Sequence, residues 1–386
     1  MELLFIISLS VLIYTYFVYG LLLKIWTSFI KKPEHHMPKT CDLPDVTHII
    51  ASYNEEAIIR EKIENSINLN YPSEKLKTIF VTDGSTDKSM EILSKESKVI
   101  NYHIDKREGK LAAVNRVIKD VTTEIIVFSD ANALLNSEAM LNLAIHFQDS
   151  KIGAVAGEKK VESENKDDAA ASGEGVYWKY ESWLKKLDYH LYSVVGAAGE
   201  LFAIRTALYQ KPKENLLIED FITSMTVAKN GYRVAYAPDA IATEKASAGI
   251  EEELKRKIRI SAGGLQAVVY LAALMNPFRY GVLSFQYISH RVFRWTLAPL
   301  ALVTVFIANL FLLVDSKRIY IFIFLGQLIF YALSIVGYLF KTNKIKFKLA
   351  FVPFYFIFMN LSVFLGLFML ISGNYKITWE KSDRRY

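Results

Sequence analysis

Hydrophobic residues along this chain follow two patterns. Four stretches are apolar almost without interruption: 3–23, 295–314, 320–340 and 350–371. Each is close to the roughly 20 residues that a helix needs to cross the hydrocarbon core of a bilayer. Only Met1 and Glu2 precede the first run. It therefore lacks the basic flank of a cleavable leader, and it is longer than the roughly 7–15 apolar residues such leaders carry. It reads as a retained anchor. Lys24, Lys31 and Lys32 follow it, which places the next segment in the cytoplasm. Lys341, Lys344, Lys346 and Lys348 put the loop 341–348 on the same side. Counting onward places the basic tail outside, against the same rule for Lys376, Lys381, Arg384 and Arg385. Either the last apolar run re-enters the membrane or the tail breaks the rule.

Between the first run and the others the period switches. Residues 46–51 read as an extended strand, 55–68 as a helix through Ile58, Ile59, Ile63 and Ile67, and 76–81 as a second strand. Asp87 can cap a helix through Ser94. A strand at 99–103, a helix at 111–121 and a strand at 124–128 follow. Ser137 can cap a helix to about residue 148, before a strand at 152–156. Alternation of this kind predicts an α/β fold, a doubly wound, mostly parallel sheet with helices on both faces. Residues 163–173 are polar and Ala-rich, a loop pattern. Residues 251–272 carry acids first, then Lys255, Arg256, Lys257 and Arg259, then an apolar run. That is the pattern of an amphipathic helix lying on anionic headgroups. The expected organisation is an anchor (1–30), a cytosolic domain (42–248), interfacial helices (249–286), about three membrane helices (287–373) and a basic tail (374–386).

Composition narrows the class. Of 386 residues 52% are hydrophobic, with 24 Phe and 22 Tyr, too many for two soluble domains. The single cysteine, Cys41, excludes an intrachain disulfide framework and fits a reducing cytosolic face. The net charge of +6 is concentrated beside the apolar runs with no nucleic-acid-binding motif, so the partners expected are membrane lipids and no nucleic acid.

Candidate chemistry gathers at strand ends. Asp130 follows the apolar run 125–128, and open parallel sheets bind ligands outside the carboxyl ends of their strands. Tyr53-Asn54-Glu55-Glu56 ends the first strand, Asp83-Gly84-Ser85-Thr86-Asp87 ends the second, Arg107-Glu108-Gly109-Lys110 opens a helix, and Ser129-Asp130-Ala131-Asn132 ends the fourth strand. Asp-Gly-Ser-Thr by itself is a common turn, and Asp87 an ordinary cap. Four such groups on one predicted edge suit a Mg2+ or Mn2+ ion bridging a diphosphate, with a nucleoside held by the first two loops.

These motifs, in this order, resemble those of the membrane-bound family-2 glycosyltransferases with a GT-A fold, relatives of the cellulose, hyaluronan and poly-N-acetylglucosamine synthases. The resemblance continues through Gly199-Glu200-Leu201-Phe202-Ala203-Ile204-Arg205, Glu219-Asp220, Gly231-Tyr232-Arg233-Val234 and the basic segment 256–264. It implies that Tyr53, Glu55 and Asp83 hold a uridine-type nucleoside with Lys110 nearby. It also implies that Asp130 binds metal and diphosphate, with Asn132 where many relatives carry a second aspartate, so that metal binding is weaker but kept. Asp220 would be the general base of an inverting displacement, with Glu219 the competing candidate; without the resemblance, Asp220 reads equally well as a cap of a helix at 221–229. Polymerising relatives carry a Gln-x-x-Arg-Trp signature in the basic segment, of which only Arg259 matches, since Ile260 follows it. Arg259 is left between a diphosphate and a lipid contact.

Two aromatic stretches remain. Tyr177 to Trp183 could line an acceptor channel or pack between the catalytic domain and the membrane-facing helices, and packing is the simpler reading. His290 to Trp295 reads as an interface anchor, with no catalytic role for His290. The expected protein is a multi-pass cell-membrane enzyme with a cytoplasmic catalytic domain. It would move a sugar from a uridine diphosphate hexose or N-acetylhexosamine to a growing polysaccharide. The rivals are transfer of one sugar to a lipid or polyprenyl-phosphate acceptor, a catalytically silent nucleotide-binding or scaffold subunit, and a transporter, which the scarcity of intramembrane charge disfavours. No pattern in the chain speaks to oligomeric state.

Overall fold

The computed structural model describes residues 1–31, 42–162, 169–213, 215–246, 249–315, 317–342 and 348–373. Cys41, Lys32, residues 343–347, residues 163–168 and the basic tail lie outside the described residues, while residues 169–173, expected to be loop, open the helix Ala169–Leu191. Residues 31–162 and 188–246 form one compact unit; residues 1–30, 163–187 and 247–375 form the other.

The first unit is built on one eight-stranded sheet. Its strands are β1 (Val46–Ser52), β2 (Leu76–Asp83), β3 (Ile100–Ile104), β4 (Ile125–Asp130), β5 (Leu134–Leu135), β6 (Ile152–Glu162), β7 (Leu201–Arg205) and β8 (Arg233–Lys245). They are ordered β3-β2-β1-β4-β7-β6-β8-β5. Every residue of β1 is buried, as expected of a central parallel strand covered on both faces. In the parallel ladder β3-β2-β1-β4, Ala51 lies opposite Asp130, Ser52 opposite Thr82 and Asp83 opposite Ile104, so the carboxyl ends are level.

The expected alternation stops at β7, which runs antiparallel to both β4 and β6. An antiparallel strand presents the loop before it, not the loop after it, at a given edge. Leu201 pairs with Ser129, so Gly199 and Glu200 arrive beside Asp130.

Element starts differ from the sequence pattern where loops take over. The helix expected from 55 begins at Ile59, because Asn54 takes a left-handed conformation (φ 53°) and Glu55 O accepts from the N–H groups of Ile58 and Ile59. Asp87 stands one residue outside the cap position of the helix Ser89–Ser94. Its Oδ1 accepts from Ser89 N (3.0 Å) and its Oδ2 from Glu56 N (2.9 Å), tying the first two loops together. Ser137 is not a cap: the next helix starts at Ala139 after Glu138, with no side-chain cap bond. Asp220 is not a cap either. The helix Glu219–Lys229 starts one residue before it, after Ile218.

The second unit is helical. Three of its helices, Glu2–Thr27, Arg318–Phe340 and Leu349–Ser372, are long and apolar enough to cross a membrane. A fourth candidate is a pair, Val282–Trp295 and Leu297–Leu312, bent by 53°. The sequence pattern suggests an unbroken run from 295, but Thr296 leaves the helical conformation (φ −131°, ψ −77°). Pro299 explains the break, since it has no N–H to donate one turn back and its ring would collide with the Trp295 carbonyl. The amphipathic helix forms at Ile250–Tyr270, with Glu251, Glu252 and Glu253 in the first turn, where the helix dipole favours them. Tyr177 packs against Tyr355 at 5.5 Å between ring centroids, and the Lys257 ammonium lies 5.4 Å from the Tyr177 ring and 5.5 Å from that of Trp178, all within the helical unit.

Candidate active site

At the carboxyl edge of the parallel strands the Arg107 guanidinium lies over the Tyr53 ring at 3.8 Å, a contact the sequence gives no hint of beyond the shared edge. Glu55 is buried in the loop after β1, its backbone N–H donating to Ser89 Oγ at 3.0 Å. Asp83 is buried at the end of β2. Its Oδ2 accepts from Glu108 N (3.0 Å) and Gly109 N (2.6 Å), and its Oδ1 pairs with Arg116 Nη2 (3.0 Å). The predicted nucleoside ligand is thus also the clamp that shapes the loop before Lys110. Gly109 holds that loop at φ 97°, a conformation that favours glycine, and starts the helix Lys110–Ile118.

A second group surrounds Lys110. Its Nζ is 2.5 Å from Asp130 Oδ1 and 3.8 Å from Glu219 Oε1. A Cβ on Gly199 would stand 3.2 Å from both Lys110 Nζ and Asp220 Oδ2, so the two groups share the space in front of that glycine. Burial opposes the Lys110 charge, but the carboxylates of Asp130, Glu219 and Asp220 outweigh it and hold the ammonium above its usual range. Burial pushes Asp130 up against the pull of Lys110, and Glu244 and Glu200 add to the push. Burial, reinforced by Glu219, raises Asp220 to about 7, with Lys110 opposing. A carboxyl that titrates near neutrality is suited to take a proton at working pH.

Asn132 ends the same loop. It is buried, and its Oδ1 has no hydrogen-bond partner, an arrangement that costs free energy unless the oxygen finds a donor or a cation. Among the described residues no three His, Cys, Asp or Glu side chains converge on a metal position. One carboxylate and one orphaned amide oxygen fit a hard cation whose remaining ligands come from phosphate oxygens and water.

Beneath the loop lies a buried support. His48 Nε2 is 2.8 Å from Ser129 Oγ, and the Lys62 ammonium donates to Ser129 Oγ (3.0 Å) and to the Ala133 carbonyl. Burial lowers Lys62 to about 7 despite Asp130 and Glu244, and burial with the nearby Lys62 keeps His48 well below its ordinary value. Glu200, beside Asp130, pairs with buried Lys159, whose other partner is Glu244 at 2.6 Å. Lys62 does not stand out in the sequence, and Glu200 does so only as part of the motif 199–205 with no role attached, because their partners are remote along the chain.

Of the predicted site residues, the sheet unit brings together Tyr53, Glu55, Asp83, Lys110, Asp130, Asn132, Glu219 and Asp220. Arg259 belongs to the helical unit, on the helix Ile250–Tyr270, where its Nε is buried without a hydrogen-bond partner.

The family model described as glycosyltransferase-like family 2 matches residues 44–263. A beta-monoglucosyldiacylglycerol synthase of Nostoc sp. is 29% identical over 177 residues, 44% of this chain and 37% of the relative. A poly-beta-1,6-N-acetyl-D-glucosamine synthase of Staphylococcus aureus is 24% identical over 254 residues, 63% of this chain and 59% of the relative. The chain therefore spans less than two thirds of either relative. A mannosyltransferase from Pyrobaculum calidifontis, solved in complex with GDP-Man and Mn2+, shares the fold at a TM-score of 0.72 and 20% identity, over 96% of this chain and 100% of that one.

Proposed function

The chain belongs to glycosyltransferase-like family 2, and from that membership we propose that it is an inverting, metal-dependent glycosyltransferase at the cell membrane. The donor is a nucleoside diphosphate sugar, on our reading a uridine diphosphate hexose or N-acetylhexosamine, and the acceptor is a growing polysaccharide. The observation that supports this best is that a lysine bound to Asp130 and an aspartate raised to about 7 meet in front of Gly199.

Each residue then has a task. The Tyr53 ring under Arg107, with Glu55 and the clamped Asp83 loop, receives the nucleoside. The Lys110 ammonium counters charge on the departing diphosphate. Asp220 takes the proton of an acceptor hydroxyl as that oxygen attacks the anomeric carbon. The bond from that carbon to the diphosphate breaks on the opposite face, which inverts the configuration. Glu219 supports the base by keeping its affinity for the proton high. Bound between Asp130 and Asn132, Mg2+ or Mn2+ would supply Lewis-acid stabilisation of the leaving group.

Lys24 and Lys31, after the first apolar helix, support a cytoplasmic catalytic unit in a multi-pass protein. A second acceptor reading is favoured by Ile260, which puts an aliphatic side chain where polymerising relatives carry a sugar-stacking tryptophan. On that reading a single sugar goes to a lipid or polyprenyl-phosphate acceptor. A silent scaffold subunit would have no use for the raised base.

The test is release of nucleoside diphosphate by purified full-length protein from a panel of nucleotide sugars with Mg2+ or Mn2+, followed by product mass spectrometry. Turnover with one donor is expected, with a ladder of oligomers for polymerisation and a single lipid-linked sugar for the second reading. Asp220→Asn should lower turnover by about 100- to 10,000-fold; an unchanged rate would remove Asp220 as the base.

A further inference from the structure

Within the helical unit lies a buried ionic cluster that the proposed reaction does not use. Glu181 pairs with His290 Nε2 (3.2 Å), Arg291 Nη2 (2.7 Å) and Arg294 Nη1 (2.7 Å). The sequence suggests that these arginines anchor to headgroups; the structure turns them inward, because Glu181 offers a buried counter-charge. The Arg294 side chain is 10% exposed, and its Nε and Nη2 are buried with no hydrogen-bond partner. Those two atoms form one edge of the guanidinium, the edge that grips an oxyanion with two parallel hydrogen bonds. Glu181 holds the opposite end by Nη1 and fixes the plane of the fork.

The surroundings indicate what would occupy that edge. The Arg294 guanidinium lies 5.9 Å from the Tyr16 ring and 5.6 Å from the Tyr180 ring. Tyr16 is near the middle of the apolar helix Glu2–Thr27, so the charge stands beside a candidate membrane span, where an ionised group is costly and marks function by default. Both helices that frame it are widened by a π-turn, Tyr14–Val18 and Ile288–Val292. Such turns free carbonyls and redirect side chains, often at functional sites; here the Tyr16 carbonyl accepts from Tyr180 Oη at 2.7 Å, and Tyr14 Oη meets Ser289 Oγ at 2.8 Å. One turn before Glu181, Tyr177 lies beside Lys257, whose carboxylate partner Glu253 is also paired with Arg256.

We propose that the Nε–Nη2 edge of Arg294, supported by Arg291, binds the phosphate end of a membrane lipid whose chain lies along the apolar helices. The inference stands apart from the transfer reaction, since binding is read without a sugar donor, and either can fail alone. The experiment measures binding of farnesyl phosphate, farnesol and inorganic phosphate to the full-length protein in neutral detergent by native mass spectrometry, for wild type, Arg294→Lys and Arg294→Gln. Farnesyl phosphate should bind wild type at least about tenfold more tightly than either other probe, and Arg294→Lys, which keeps the charge but loses the paired donors, should lose about tenfold with its Tm unchanged. A parallel pair, phosphatidic acid against diacylglycerol, separates an isoprenoid from a glycerolipid phosphate, and preference for the phosphate in either pair supports the site. Equal binding of phosphate and alcohol in both pairs, or wild-type binding by Arg294→Lys, overturns the proposal. Inorganic phosphate binding as tightly as farnesyl phosphate overturns the lipid assignment. Should Arg294→Gln fail to fold, Arg294→Lys decides.

Discussion

Asp220 carries two opposite pH dependences. As a base it works only when ionised, so with a value of about 7 the acid limb of kcat/KM should fall near neutrality. Glu219 is one cause of that rise, so Glu219→Gln should move the limb to lower pH; a limb that stays in place would detach it from Asp220. For stability the sign reverses. Between the ordinary carboxylate range and about 7 the folded protein holds the proton that the unfolded chain has released, so stability falls as pH rises through that window. Asp220→Asn should therefore raise Tm at pH 8 and leave it nearly unchanged at pH 4, even as activity is lost. Asp130 and Asn132 part in a different way. Asn132→Asp adds a charge where an amide oxygen is orphaned, and titration with Mn2+ should show tighter activation. Asp130→Asn should abolish turnover at every metal concentration; surviving activity would reduce Asp130 to a strand terminus.

At the scale of elements, the loop 107–109 depends on Asp83. Asp83→Asn exchanges one acceptor oxygen for a donor facing either two backbone N–H groups or a guanidinium, at a cost of about 1–3 kcal/mol in stability. Arg107→Ala leaves that clamp intact and uncovers Tyr53. Its expected signature is a donor KM raised about 2- to 30-fold, the worth of one cation–π contact, at unchanged Tm. Donor titrations and thermal melts on the two variants distinguish the roles.

The same elements show how far the sequence carries. Strands β1, β2 and β4 are legible because each carries an apolar run ending in a turn, and the acids at their ends follow from that placement. Strand β7 is five residues long, and its direction is fixed by partners about 75 positions away, so neither its orientation nor Glu200 at its start can be read locally. The pairs Arg116–Asp83 and Arg294–Glu181 are hidden for the same reason, being 33 and 113 residues apart. The break at Thr296 had a visible cause in Pro299, which a count of apolar residues overlooks.

For the whole molecule, three or four apolar helices in one compact unit, with exposed Leu3, Phe17, Phe322 and Phe368 among their side chains, demand a hydrophobic surrounding. The full chain should remain in the membrane fraction after carbonate washing and leave it only with detergent. Release by carbonate alone would contradict a spanning arrangement.

The seam between β4 and β7 has one more consequence. Among the described residues, five pairs, Ile125–Ser129 against Leu201–Arg205, form the one ladder by which the strands β1 to β4 join the strands β5 to β8. On one side of that seam stand the loops proposed to grip the donor, and on the other stands the acid pair proposed to activate the acceptor. Evolution could therefore revise what receives the sugar while leaving untouched what delivers it, and chimeras spliced at the seam between related chains should inherit the two specificities separately.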